Sequence, residues 1–248
     1  MPRLTIAEDA RESVRTLLIS VGLAVALSFV PYANLLLYPF RLFVTFIHEG
    51  GHAVAALATG NSVQSLSIAT DGSGEVMATH DGFLSGLFIS SAGYLGATLY
   101  GAALLVLIRH KIAARAILIA TAIFIGLMSL RFGYSNPFTL VSGIVLSGAL
   151  LLAAKHAQER IANFLLSFVA VQCVLNALFD LRTLLNLSSP MEAQVHTDAL
   201  NMAQATGIPA IVWALLWIGI SLGLLRLALR SYIAAPKPVP STTSALGV

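Results

Sequence analysis

Residues Phe43–Gly60 read FVTFIHEGGHAVAALATG, and the five at their centre, His48-Glu49-Gly50-Gly51-His52, decide how the rest of the chain is read. In an α-helix positions i and i+4 share a face, so His48 and His52 can offer imidazole nitrogens to one metal ion. Glu49 stands at the edge of that face, where a carboxylate can take a proton from a metal-bound water. This is the H-E-x-x-H arrangement of zinc hydrolases. Its surroundings are apolar on both sides: Phe43, Val44, Phe46 and Ile47 precede it, and Ala53 to Leu57 follow. The plainer alternative is a pair of polar residues lining a helix contact. Two imidazoles and a carboxylate within one helical turn are costly to bury in lipid with nothing to bind, which favours the metal.

The composition sets the medium. Of 248 residues, 57% are apolar and 10% charged, with a mean hydropathy of +0.86. A soluble domain carries about 25% charged residues, so the chain reads as an integral membrane protein. Residues 1–15 are polar and of mixed charge, and the apolar run after them is long enough to remain in a bilayer rather than act as a cleaved leader. The formal charge of +3 comes from 14 basic and 11 acidic residues. The basic ones fall mainly in loops and tails, which suits lipid headgroups and gives no stripe for nucleic acid. A single cysteine, Cys173, lies in an apolar helix and excludes an intrachain disulfide.

In chain order, a first apolar helix begins at Thr16–Val30 and is kinked or ended by Pro31. Pro39 and Arg41 mark the entry to the second, metal-bearing helix, which runs to about Ala58 and stops at Thr59-Gly60-Asn61. Ser62–His80 alternates loosely around Asp71-Gly72-Ser73-Gly74 and predicts a β-hairpin, at the membrane surface or against the bundle, since lipid-exposed strand edges are not viable. Further helices are expected over Phe83–Ile108, Ala116–Leu130, Phe138–Ala154, Ile161–Leu185 and Ile208–Leu229. In the first of these, Gly93, Gly96, Ala97 and Gly101 form a small-residue face that permits close helix contact. Trp213 and Trp217 read as anchors at the membrane interface. The expectation is an all-α polytopic membrane protein of about six to seven transmembrane helices, with one small β-hairpin after the metal-binding helix. It forms a single domain over 1–233, followed by a Pro- and Ser-rich disordered tail over 234–248. The basic loops and the arginines of the N-terminus give opposing signals for orientation, and neither is chosen.

A catalytic zinc takes three protein ligands and keeps one position open. Two aspartates qualify as the third ligand beside His48 and His52. Asp180 is favoured because a regular helix fixes a ligand well and because an ionisable group inside a membrane helix calls for a function. Asn176, four residues before it, shares its face and can orient the carboxylate or hold a substrate carbonyl. Asp198 is the alternative, with helix capping as its competing role. His80, His110 and His156 stand beside charges in loops and read as surface residues.

With these residues in place the chain resembles the M50 family of intramembrane zinc metallopeptidases, the site-2 protease clan, and in particular its M50B-like branch. The resemblance rests on His48-Glu49-Gly50-Gly51-His52-Ala53, the hairpin with Gly72-Ser73-Gly74, Ser91-Ala92-Gly93-Tyr94-Leu95-Gly96, and Asp198-Ala199 ahead of Gly207-Ile208-Pro209 and Trp213. It implies a Zn2+ cofactor on His48 and His52, Glu49 as general base, and hydrolysis of a peptide bond in or near the membrane. One departure stands out. Family members take the last ligand from an Asp-Gly pair, whereas here Ala199 follows Asp198 and Leu181 follows Asp180.

The expected partners are therefore the lipid bilayer and a membrane-protein or peptide substrate, in a plasma or bacterial inner membrane; the oligomeric state is not legible. Two other readings compete: a catalytically inactive membrane scaffold that retains the metal site, and a metal transporter. A transporter needs several ionisable groups along a path, and only Asp180 joins the histidine pair inside the helices.

Overall fold

The computed structural model describes residues 11–110, 112–187 and 197–233, with the side chains of Ser28, 176–187 and 231–233 outside that description. The chain is helical apart from one hairpin: α1 (Arg11–Ser28), α2 (Ala33–Ala58), β1 (Val63–Ile68), β2 (Gly74–Ala78), α3 (Phe83–Arg109), α4 (Ala114–Phe132), α5 (Pro137–His156), α6 (Glu159–Leu187), α7 (Asp198–Thr206) and α8 (Ala210–Ile233). Among the described residues, α3, α4, α5 and the stretch Ala210–Arg230 of α8 are long and apolar enough to cross a membrane. The expected tail over 234–248 lies outside the described residues.

The expected boundaries agree with these elements to within about five residues, but α7 is not among the expected helices, and one boundary differs in a way that matters. Pro39 does not mark the entry to the metal-bearing helix but lies inside it, six residues after Ala33. A proline there lacks the N–H that would bond the carbonyl of Leu35. The helix nevertheless continues through it, held by neighbours on which Leu42, Phe43, Val44, Phe46 and Ile47 are buried.

Helix α2 is the axis of the assembly. It packs most extensively on α3, and also meets α6, α4, α5 and both strands. The two glycines of the central motif explain how closely its neighbours come. A Cβ on Gly50 would reach within 2.6 Å of Phe124 Cζ on α4, and one on Gly51 within 2.5 Å of the carbonyl oxygen of Ala92 on α3. The small-residue face of α3 divides between two partners. Gly96 lies against Gly51 of α2, whereas Gly101 lies against Ala170 and Cys173 of α6.

The hairpin pairs β1 and β2 antiparallel, with Leu66 opposite Val76, Ser67 opposite Glu75 and Ile68 opposite Gly74. Leu66 and Ile68 are fully buried, so the hairpin is packed on the bundle rather than laid on a lipid surface. Thr139 of α5 binds both backbone groups of Ile68, accepting from its N–H at 2.7 Å and donating to its carbonyl at 3.3 Å. The turn is tied to α2 twice: Tyr38 Oη donates to the carbonyl of Thr70 at 2.6 Å, and Thr45 Oγ1 to that of Gly72 at 2.8 Å. Gly72 carries the left-handed conformation the turn needs, with φ of 85°.

Candidate metal centre

His48 and His52 lie one turn apart on α2 with their Nε2 atoms 3.2 Å from each other. The helical spacing sets this approach, and neighbours fix the rings. His52 Nδ1 lies 2.7 Å from the carbonyl oxygen of Ile89 on α3. A carbonyl only accepts, so Nδ1 carries the hydrogen, and whenever the ring is neutral the lone pair of Nε2 is turned inward. The His48 ring meets Tyr94 of α3 edge-on, with centroids 4.7 Å apart, and Tyr94 in turn stacks on Trp217 of α8 at 5.2 Å.

The carboxylate brought to this pair is that of Asp198, the alternative third ligand of the sequence argument. Its Oδ2 lies 3.2 Å from Nε2 of His48 and 3.2 Å from Nε2 of His52. Asp198 opens α7, whose N-cap is Thr197 accepting from the backbone N–H of Leu200. The capping role offered as Asp198's competing explanation thus belongs to its neighbour, and the Asp198 carboxylate is directed at the imidazoles. A second small core holds α7 in place: Ala199 and Met202 pack with Ala214 and Trp217 of α8, and with Tyr94 and Leu95 of α3. Trp217 is 3% exposed and its Nε1 donates to Ser91 Oγ, while Trp213 Nε1 donates to Thr206 Oγ1. These tryptophans pack on α7 and on the α3 segment behind it. Asp180 and Asn176 belong to α6, but their side chains lie outside the described residues.

Three donor atoms therefore converge, all electron-rich once the rings are neutral and the acid ionised. Burial alone would raise the Asp198 carboxyl, but the imidazoles of His52 and His48 hold it well below the usual carboxylate range. Such a triangle could hold a metal ion at its centre. Mutual distances of 3.2 Å match the separation of about 3.3 Å between tetrahedral ligands held at about 2.0–2.1 Å from a zinc ion. Gly93 of α3 supplies the room, since a Cβ there would fall directly against both Nε2 atoms. The two-histidine, one-carboxylate donor set suits zinc. In the sequence Gly93 reads as a helix-packing or substrate-facing residue, and its place within Ser91-Ala92-Gly93-Tyr94 is the available signal for a role at the metal centre.

Glu49 is 5% exposed and lies on the hairpin side of the histidines. A Cβ on Gly74, the first residue of β2, would come within 2.6 Å of Glu49 Oε1 and 2.7 Å of its Cγ. The centre opens into a cleft of about 1640 Å³. It is lined by the hairpin from Ser67 to Ala78, by the first part of α3 from Phe83 to Tyr94 and by α7 from Thr197 to Ala205, and Arg41 and Thr45 extend the floor along α2. His80, expected at the surface, is exposed and lines the cleft.

Comparison with known proteins agrees with this geometry. No curated protein and no solved structure matches the chain significantly, but the model of the Peptidase M50B-like family matches residues 18–228, which hold both histidines, the glutamate and Asp198. The chain belongs to the Peptidase M50B-like family.

Proposed function

We propose that the protein is a zinc-dependent intramembrane endopeptidase that hydrolyses a peptide bond within or near the membrane. The observation that carries this reading is the convergence of His48, His52 and Asp198 within one turn of a buried glutamate, at the floor of an open cleft. On this reading His48 and His52 donate through Nε2 and Asp198 through Oδ2, so that Asp198 is the third ligand. Zinc held by these three residues would supply Lewis acidity toward a water and the substrate carbonyl. Glu49 takes the proton of that water and delivers it to the leaving amine. Burial of Glu49 keeps competing water away from its carboxylate, and Gly74 allows the hairpin to close over it.

The hairpin supports a peptide substrate. Both backbone groups of Ile68 face Thr139, away from β2. Its partner Gly74 therefore sits in a non-hydrogen-bonded pair, and Gly74 and Val76 turn their own N–H and C=O groups to the free edge of β2. That edge begins beside Glu49. An extended peptide adding as a third strand would bring its main chain past the general base. A helical substrate has to unwind first, because its carbonyls are engaged within the helix. Around the four apolar spans, α1, α2 and α6 complete a bundle of six to seven crossings, in a plasma or bacterial inner membrane.

The test uses purified protein and isolated membranes. Elemental analysis is expected to find about one zinc per chain in the wild type and in Glu49→Gln, and little in His48→Ala. Mass spectrometry of peptides released from membranes should find products with the wild type that Glu49→Gln does not release. Equal release by Glu49→Gln would remove the peptidase reading and leave a metal-holding scaffold.

A further inference from the structure

The cleft is lined by the hairpin, the first part of α3 and α7, and only the hairpin has so far been given a role in holding substrate. Helix α7 presents Thr197, Asp198, Asn201, Gln204 and Ala205 to the same space. Asp198 reaches the histidines, and Ala199 and Met202 are buried against α8. Asn201 and Gln204 are exposed, and among the described residues neither side-chain amide has a hydrogen-bond partner.

Resting on the peptidase reading, we propose that Asn201 and Gln204 bind the main chain of the substrate from the side opposite β2. The hairpin and α7 both start at the metal centre, since Gly74 touches Glu49 and Asp198 touches His48 and His52. A strand paired to Gly74 and Val76 leaves every second residue with its N–H and C=O directed away from the sheet. In the proposed arrangement those groups are taken up by the α7 side of the cleft. They recur about every 6.8 Å along an extended chain. Asn201 and Gln204 are one helical turn apart, about 4.5 Å along the axis, and the longer glutamine spans the remainder. A carboxamide is the suitable group because it offers both a donor and an acceptor, as a peptide edge does. Recognition is then of an unwound main chain on both edges, independent of side-chain sequence, and the substrate class is an extended peptide rather than an intact helix. A solvated helix face would need no amides there and would leave binding unchanged when they are removed.

The experiment uses zinc-loaded full-length protein and two probes: acetohydroxamate, which carries only the metal-binding group, and a hydroxamate on a short peptide. The wild type is expected to bind the peptide probe more tightly. Asn201→Ala/Gln204→Ala is expected to weaken the peptide probe by about tenfold or more, the loss of two main-chain hydrogen bonds, with acetohydroxamate affinity and zinc content unchanged. Alanine is the stronger helix former at both positions, so α7 is not endangered. If the wild type favours the peptide probe and the double variant does so equally, the role of α7 is overturned while the peptidase reading stands. If the zinc-loaded wild type binds both probes alike, the cleft takes no peptide and both readings fall.

Discussion

Gly74 of the hairpin lies against Glu49 of α2 so closely that a Cβ would come within 2.6 Å of the carboxylate oxygen. Gly74→Ala is therefore expected to push the Glu49 carboxylate aside and to lower turnover by roughly a hundredfold, the cost of misplacing a catalytic group by about 1 Å. Zinc content should stay at the wild-type level, because the histidines and Asp198 are on the other side of Glu49. Loss of zinc in this variant would mean that the hairpin supports the metal ligands themselves.

Gly93→Ala should do the reverse. Its Cβ falls against Nε2 of both His48 and His52, so zinc occupancy is expected to collapse. The helix itself gains, since alanine is favoured over glycine by about 1 kcal/mol in a helix interior. Elemental analysis beside circular dichroism separates the two effects: little metal with undiminished helicity. Full zinc occupancy would show that the ion does not occupy this space.

Asp198→Ala is expected to release zinc, and Thr197→Ala to cost about 0.5–2 kcal/mol of local stability through the lost cap while the metal stays. Asp180→Ala is the comparison, because sequence reasoning prefers that residue. Should Asp180→Ala empty the site and Asp198→Ala leave it filled, the ligand set proposed above is wrong.

Acid should strip the metal by protonating the imidazoles, which ligate only when neutral. The Asp198 carboxyl, held below the usual range by its imidazole neighbours, contributes to stability above its unfolded value of about 3.9 and loses that contribution as the pH falls through its lower folded value. It therefore stays ionised over the range in which protons displace the metal. Asp198→Asn removes a charged ligand and weakens binding, so protons compete sooner. Its zinc-release curve is expected at higher pH than the wild type's, read with a colorimetric chelator. Coincident curves would argue against Asp198 as a ligand.

Trp217→Ala removes the ring that stacks on Tyr94 and packs against Ala199 and Met202. Buried large-to-small changes of this kind cost about 3–5 kcal/mol. The loss should appear as weaker zinc binding along with lower thermal stability, because this ring seats α7 and backs His48 through Tyr94. Trp217→Phe should recover most of both. A variant destabilised yet unchanged in metal affinity would make Trp217 a packing residue only.

The histidine pair and Glu49 were legible because their spacing is local: an i, i+4 relation needs only a helix. The hairpin was legible for the same reason, from its alternation and the glycines of its turn. The third donor was not. The position of Asp198 depends on tertiary packing, and nothing in the sequence near it records that α7 is seated against Trp217 of α8 and Tyr94 of α3. Pro39 misled because proline's local preference was overridden by the burial of the helix around it. Gly93 hid among glycines that serve only packing, since a missing Cβ looks alike whether it admits a helix or an ion.

The donors His48 and Asp198 are 150 positions apart. At about 5–20 residues per second, a growing chain carries its histidines and Glu49 for roughly 8–30 s before the carboxylate is made. With Asp198 as a ligand, the nascent protein has no complete cutting centre during the interval in which its own apolar helices are least protected. On the peptidase reading, order of synthesis itself delays cutting until most of the bundle has been made.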